Sequence, residues 1–324
     1  MRRTLLRALA LSPLATALPA WAQAGGYPNK PIRLVVPFAT GGIADTFARA
    51  ISQRLNAVWG QPVVVENRTG AGGNIGADLV AKAAPDGYTI LMTNIGTHAV
   101  NVHLFKSMPF DPVKDFVPIA HVLDAEGLLV VHPEVKANNV SELIALARAQ
   151  PGRLSYASGG MGTTSHLAGE LFKSMAKVEI THVPYKGNVP AIMDVLGGQV
   201  QMAFATMPTV LPHVRAGKLR SLAVIGGTRA AALPDVPTVS ESGLPGFEVS
   251  NWIGLFAPAG TPMDIVNRIH GEVQKLMRTP EMGKRLETEG AKFSPMSQAQ
   301  FAEFQRNELA RWGKIIREAG IKAD

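Results

Sequence analysis

A repeated unit constrains this chain more than anything else in it: a short apolar strand, a glycine turn, then an amphipathic helix. IRLVVPF (32–38) reads as a strand, ATGG (39–42) as the turn, and IADTFARAISQRLNAVWG (43–60) as a helix with its apolar positions on one face. PVVVENR (62–68), the turn TGAGGNIG (69–76), the helix NIGADLVAKAAP (74–85) and the strand YTILMTN (88–94) continue the pattern. This rhythm predicts a parallel sheet covered on both faces. A second series begins with the strand LLVVH (128–132) and a helix at NVSELIALARAQ, where Asn139 and Glu142 have capping-box spacing. LSYAS (154–158), the turn SGGMGTTSH (158–166) and a helix follow, then ITHVPY (180–185), NVPAIMDVLGG, VQMAFAT (200–206), PTVLPHVRAG and LRSLAVI (219–225). Pro- and Gly-rich sequence runs from Leu233 to Gly246. VSNWIGLFAP is the last expected strand, and the remainder reads as helix from Thr261 to Gly320, broken at Pro280 and Pro295.

Two such series predict an α/β fold of two lobes. The expected division is 23–124 plus 248–324 for the first lobe and 125–247 for the second. The chain then crosses between lobes near Leu123 and near Val249, making a hinge with a cleft between the halves.

The N-terminus reads as an export leader over 1–22. Arg2, Arg3 and Arg7 precede an apolar run from Leu5 to Leu18, and Ala20 and Ala22 flank Trp21 as a cleavage site. Arg2 and Arg3 also resemble a twin-arginine signal. The apolar run is too short to span a bilayer permanently. The whole chain carries 32 Lys+Arg against 25 Asp+Glu; removing the leader's three arginines leaves 29 against 25, or +4. That balance suits capture of an anion. The basic residues form no cluster with interleaved aromatics, so nucleic acid is not an expected partner. With no cysteine, an exported chain must rely on its core rather than on disulfides.

The glycine turns carry the expected chemistry. In open α/β sheets ligands lie off the carboxyl ends of the strands, where such turns sit. The first turn of a helix offers orphan N–H donors and a partial positive charge, and glycine lets a ligand approach the backbone. Any one such turn is more often structural punctuation. ATGG and SGGMGTT, one in each lobe, are the pair expected to face each other. TGAGGNIG serves equally well as a packing device for its own helix. Asp45 is either a helix-terminus carboxylate or an acceptor for a ligand donor; His166 is either structural or a polar lip of the cleft. Ser158, Thr163 and Thr164 offer hydroxyls that can cap the helix and touch a ligand together. Thr93 and Asn94 end the third strand beside the same cleft.

No catalytic constellation stands out. There is no cysteine nucleophile, no G-x-S-x-G elbow and no H-E-x-x-H. His98 and His103 are five apart and off one helical face, which does not suit a metal pair. Gly70, Gly73 and Gly76 superficially match a dinucleotide fingerprint, but no Lys-Ser/Thr follows for a P-loop. No metal, cofactor or catalytic residue is expected. The competing reading is an exported α/β hydrolase or isomerase using His166 and Asp45.

YPNKPIRLVVPFATGGIAD, VVVENRTGAGGNIGADLVAKAAPDGYTIL, LSYASGGMGTTSHLAGELF, VPYKGNVPAIMDVLGGQVQ and GLFAPAGTP together strongly resemble the Bug family, the TctC-like receptors of tripartite tricarboxylate transporters. The resemblance runs from about Tyr27 to the C-terminus. It implies a type II periplasmic binding protein that closes on a small carboxylate, gripped by one strand–helix loop from each lobe. Those loops correspond here to Phe38–Asp45 and Ser158–His166. From those loops, the end of the third strand and the FATMPT segment, the expected ligand-binding residues are Phe38, Ala39, Thr40, Gly41, Gly42, Asp45, Thr93, Ser158, Gly159, Gly162, Thr163, His166, Ala205 and Thr206. The implied partners are the TctA/TctB-like membrane subunits or a sensor kinase, with the receptor acting as a monomer. Two departures bear on the ligand. Many relatives carry an acid where FATMPT has Ala205, which disfavours an amino-acid ligand. Many also carry a hydroxyl residue where this chain has Ala44, preceded by Ile43, so this lip favours a ligand with an apolar body.

Overall fold

The computed structural model describes residues 26–185 and 187–321; the leader read at 1–22 lies outside them. The first series comprises β1 (Ile32–Val36), α1 (Ile43–Trp59), β2 (Val63–Asn67), α2 (Asn74–Ala81), β3 (Thr89–Asn94), the short α3 (Asn101–Leu104) and β4 (Phe116–Ala125). The second comprises β5 (Gly127–Val131), α4 (Val140–Ala149), β6 (Ser155–Ser158), α5 (Thr164–Ala176), β7 (Thr181–Pro184), α6 (Asn188–Leu196), β8 (Met202–Thr206), α7 (Met207–Arg215) and β9 (Arg220–Val224). β10 (Asn251–Pro258), α8 (Met263–Met277), α9 (Pro280–Thr288), β11 (Ala291–Lys292) and α10 (Gln298–Ala319) complete the chain. Thr279 caps α9 and places Pro280 at its first position, where the missing N–H does no harm. Asn139 caps α4 as its spacing predicts, but Glu142 returns its carboxylate to the N–H of Asn138 rather than of Asn139.

Two separate sheets form, in strand orders β11-β4-β10-β3-β1-β2 and β7-β6-β8-β5-β9. The local repeats build their parallel parts: β1 pairs in parallel with β2 and β3, and β6 with β7 and β8. Neither sheet is wholly parallel, however, which corrects the expectation. β10 runs antiparallel to β3 and β4, and β5 antiparallel to β8 and β9. Of the longer strands, those that reverse direction, β5 and β10, enter from the other sheet; the two-residue β11, antiparallel to β4, reverses as well. β4, unrecognised in the sequence, passes to β5 across the single residue Glu126; the return runs through Val249, whose N–H bonds Ile225 O, into Asn251, opposite Ala125.

Period-two alternation sets the first sheet's two faces. Ile32, Leu34 and Val36 pack with Phe47, Ile51 and Val266 under α1 and α8. Val35 and Leu91 face the other way, into a core with Ala77, Phe256, Phe301 and Trp312. That second core continues through α10 to Leu129 of β5 and to Leu171 and Phe172 of α5, so α10 joins the halves. The ring of Phe301 lies directly over Gly254 of β10, where no side chain has room.

His98 lies in a wide π-type turn (Gly96–Val100) before α3. It is fully buried, its ring centroid 4.1 Å from Phe256 and 4.6 Å from Phe116. Burial lowers its pKa to about 3. An unfolded histidine titrates near 6.5, so the unfolded chain takes up this proton first. Stability should therefore be full above about pH 6.5 and fall by roughly 1 kcal/mol per pH unit as pH drops toward 3. Thermal unfolding followed across that range should show a flatter acid limb in His98→Phe; an unchanged limb would mean His98 is not the group titrating.

Candidate functional site

A cavity of about 800 Å³ opens between the two sheets, within the usual range for small-molecule sites. Its first-lobe wall is Pro37, Phe38 and Ala39 after β1, the loop Thr69–Gly73 before α2, and Asn94 and Gly96 after β3. Its second-lobe wall is Gly159 and Met161–Ser165 at the start of α5, Asn188 at the start of α6, and Phe204–Thr206 leading into α7. Ala125, Glu126, Gly127, Ile225, Val249 and Asn251 close the hinge side. Every helix-opening turn on this wall points its N-terminus inward from the carboxyl end of a strand, the place α/β topology reserves for ligands.

The loop Thr69–Gly73 resolves an open question in the sequence: it is part of the wall. Gly70, Ala71, Gly72 and Gly73 all have positive φ, and Ala71, at +47°, does so despite its Cβ. Such strain persists only where surrounding structure imposes it, and it gathers at functional sites. Asn101 Nδ2 holds the loop through Gly72 O at 3.1 Å. The packing role falls instead to Gly76, where a Cβ would meet Arg68 O at 2.7 Å and Pro37 Cβ at 2.9 Å.

Of the residues expected to touch ligand, Phe38, Ala39, Gly159, Gly162, Thr163, Ala205 and Thr206 line the cavity. Thr40, Gly41, Gly42, Asp45, Thr93, Ser158 and His166 do not. The reason is that several hold the loops together. Asp45, 3% exposed, accepts from Gly41 N at 3.0 Å, Arg49 Nε at 2.9 Å and Asn67 Nδ2 at 3.0 Å. Burial works to raise its pKa, but the Arg49 guanidinium and the two other donors outweigh that and hold the carboxyl below its usual range. Asn67 also donates to Phe38 O at 3.0 Å, fixing the strand end that reaches the cavity. Thr93 Oγ1 is bound to Thr97 Oγ1.

In the second lobe the glycine loop is likewise pinned from behind. Gly159 N–H donates to Ser165 Oγ at 3.0 Å, Gly160 N–H to Ser158 Oγ at 3.1 Å, and Gly162 N–H to His166 Nδ1 at 3.2 Å. Four of the peptide donors expected to grip an anion, those of Gly41, Gly159, Gly160 and Gly162, are thus already engaged. The open donors lie one step further along. Thr163 caps α5 through the N–H of His166, and the N–H groups of Thr164 and Ser165 have no intrahelical acceptor. α2, α6 and α7 begin at Gly73, Gly187 and Thr206 with no side chain capping the backbone. These ends supply partial positive charge from both lobes, and no Lys, Arg or His lines the cavity among the described residues.

A serine–histidine pair exists: Ser158 Oγ lies 2.6 Å from His182 Nε2. Burial and the neighbouring His166 lower the His182 pKa to about 4, so the imidazole is neutral. Yet Ser158 is 1% exposed, off the cavity wall, and its oxygen already accepts from Gly160. It cannot meet a substrate in this arrangement. Sequence reasoning missed Glu126, Asn188 and Asn251. Glu126 had a weak signal, an acid just before the apolar strand LLVVH and close to the expected lobe crossing.

The model of the tripartite tricarboxylate transporter family receptor matches residues 47–321. Protein BugT of Bordetella pertussis (strain Tohama I) is 38% identical over 311 residues, 95% of each chain. The solved structure of R. palustris Rpa4515 with adipate superposes with a TM-score of 0.84 at 38% identity, covering 92% of this chain and 100% of that one. MatC from Rhodopseudomonas palustris, with bound malate, gives 0.80 at 34% identity, covering 90% and 100%.

Proposed function

The chain belongs to the tripartite tricarboxylate transporter receptor family, with the two-lobed fold of type II periplasmic binding proteins, and on that premise we propose that it captures a small carboxylate by closing its lobes. The observation that carries this reading is the cavity between the sheets, ringed by helix N-termini of both lobes and free of cationic side chains among the described residues. Peptide donors of Thr164 and Ser165 hold the anion from the second lobe, and the α2 terminus after Gly73 meets it from the first. Apolar wall residues Pro37, Phe38 and Phe204 cover the ligand's body. Binding favours closure only through its greater affinity for the closed form. Ligands named for relatives, adipate and malate, lie in the same chemical class.

The captured carboxylate passes to TctA/TctB-like membrane subunits, or is presented to a sensor kinase, by a monomeric exported receptor. No step alters the ligand. The test is thermal unfolding of the mature protein with mono-, di-, hydroxy- and aromatic carboxylates. A ligand at 100 times its Kd stabilises by about 2.7 kcal/mol, a rise of roughly 4 °C for a chain of this size. The ligand should be recovered chemically intact afterwards. No shift with any carboxylate, or conversion to a product, would overturn the reading.

A further inference from the structure

A second cavity, of about 170 Å³, lies on the far side of the two crossings between sheets. At the return crossing alternate residues line opposite cavities, as the side chains of an extended chain do. Val249 and Asn251 border the large one, Glu248 and Ser250 the small one. The outgoing crossing agrees: Asp124 borders only the small cavity and Gly127 only the large. Both halves wall the small cavity, with Lys292 of β11 and Arg311 of α10 on one side and Gly226–Thr228, after β9, on the other. Two bonds cross it. Lys292 Nζ donates to Thr228 Oγ1 at 3.0 Å, and Arg311 Nη2 to Glu248 O at 2.5 Å. Between the cavities the Glu126 backbone is held from both halves, its N–H donating to Gly290 O and its carbonyl accepting from Met207 N–H, each at 2.9 Å. Gly290 and Met207 themselves touch: a Cβ on Gly290 would lie 2.6 Å from Met207 Cβ.

The crossings are thus a close contact with a space on either side. Halves that turn about such a contact act as a lever, so the small cavity widens as the large one narrows. Resting on the closure reading above, we propose that the small cavity governs capture from behind. Its walls part when a ligand is enclosed, and the bonds made by Lys292 and Arg311 resist that parting. Both are positioning residues, off the wall of the large cavity, that set the balance of open and closed forms. Apparent affinity scales with the populated fraction of the binding-competent form, so loosening the back tightens binding at the front.

Three variants test this, by calorimetry with adipate, malate and benzoate and by small-angle X-ray scattering of the unliganded protein. Thr228 is exposed, so bulk there spares the core. Thr228→Trp replaces a hydroxyl bonded across the small cavity with a ring that wedges it open. Affinity for whichever acid binds should rise about fivefold or more, and the unliganded radius of gyration should fall below that of the wild type. Lys292→Ala removes one bond without adding bulk and should raise affinity about two- to threefold. Thr228→Ser keeps the hydroxyl and should match the wild type. Side chains that merely hold the fold would, when replaced, lower affinity or leave it alone. Unchanged or weakened binding by Thr228→Trp overturns the proposal. If the wild type binds none of the three acids, the failure belongs to the carboxylate reading, and the scattering of Thr228→Trp decides the lever by itself: an unchanged radius overturns it.

Discussion

Gly73→Leu should abolish ligand capture while leaving a folded but weakened protein. Gly73 has φ +95°, and a Cβ there would lie 2.7 Å from Thr97 Cγ2 and 3.2 Å from Phe38 Cε1. The left-handed backbone costs a side chain about 1–2 kcal/mol, and overpacking adds about 1–3 kcal/mol. Against a typical stability of about 5–15 kcal/mol the fold survives. The site does not, because Phe38 and the α2 terminus are both cavity wall. Affinity should fall by about 100-fold or more, a loss of about 2.7 kcal/mol. Gly42→Ala is the control: its φ is −75°, and its Cβ would meet only Ala39 O at 3.5 Å. Its stability should change by less than about 1 kcal/mol, as for other surface changes at a helix start. Calorimetric titration of both variants, with circular dichroism to show folding, separates the cases. Near-normal binding by Gly73→Leu would remove the 69–73 loop from the site.

The second large effect is on the joint between halves. Trp312 of α10 is fully buried in the core that reaches from the first sheet to α5. Its Nε1 donates to Glu308 Oε2 at 3.2 Å, and one turn earlier Gln305 Nε2 reaches across to Pro112 O at 2.8 Å. Trp312→Ala removes the largest side chain of that helix interface and should cost about 3–5 kcal/mol. In a chain of this size that corresponds to a fall of roughly 5–8 °C in Tm. Met263→Ala, at a residue 51% exposed, should move Tm by no more than about 1–2 °C. A loss below about 1 kcal/mol for Trp312→Ala would mean that α10 packs as an appendage.

What the sequence revealed was what local pattern can encode. Strand–glycine–helix units announce themselves by alternation and turn chemistry, and the units β1-α1-β2 and β6-α5-β7 are built as read. β4 escaped because FVPIAHVLDA carries Pro118 and two buried polar residues, His121 and Asp124, features that argue against a strand. In three dimensions Pro118 falls beside a register shift opposite Leu255 and Phe256, and His121 Nε2 pairs with Asp124 Oδ1 at 3.2 Å. Neither compensation is visible along the chain.

That a cavity opens at these turns was legible for the same reason, and which of their residues line it was not. A polar residue next to a glycine turn can face the ligand or tie the turn down, and sequence does not distinguish the two. Asp45 and His166 both proved to be ties, each accepting from the glycine four residues before it. Gly42 and Ser158 were chosen by adjacency and lie off the wall, whereas Asn188 reaches it from a motif, VPYKGNVPAIMDVLGGQVQ, that was recognised without a site residue being drawn from it.

A wall whose grip is made of peptide groups divides two tasks that most anion sites assign to one arginine. In the proposed reading holding is done by atoms that every residue possesses, so a substitution that leaves the loop backbone in place leaves the grip intact. In that reading choosing falls to side chains on the same wall, among them Phe38, Ala205 and Thr206. Evolution can then retune the cargo by single replacements without passing through a receptor that binds nothing, a route open to any lineage that inherits this scaffold.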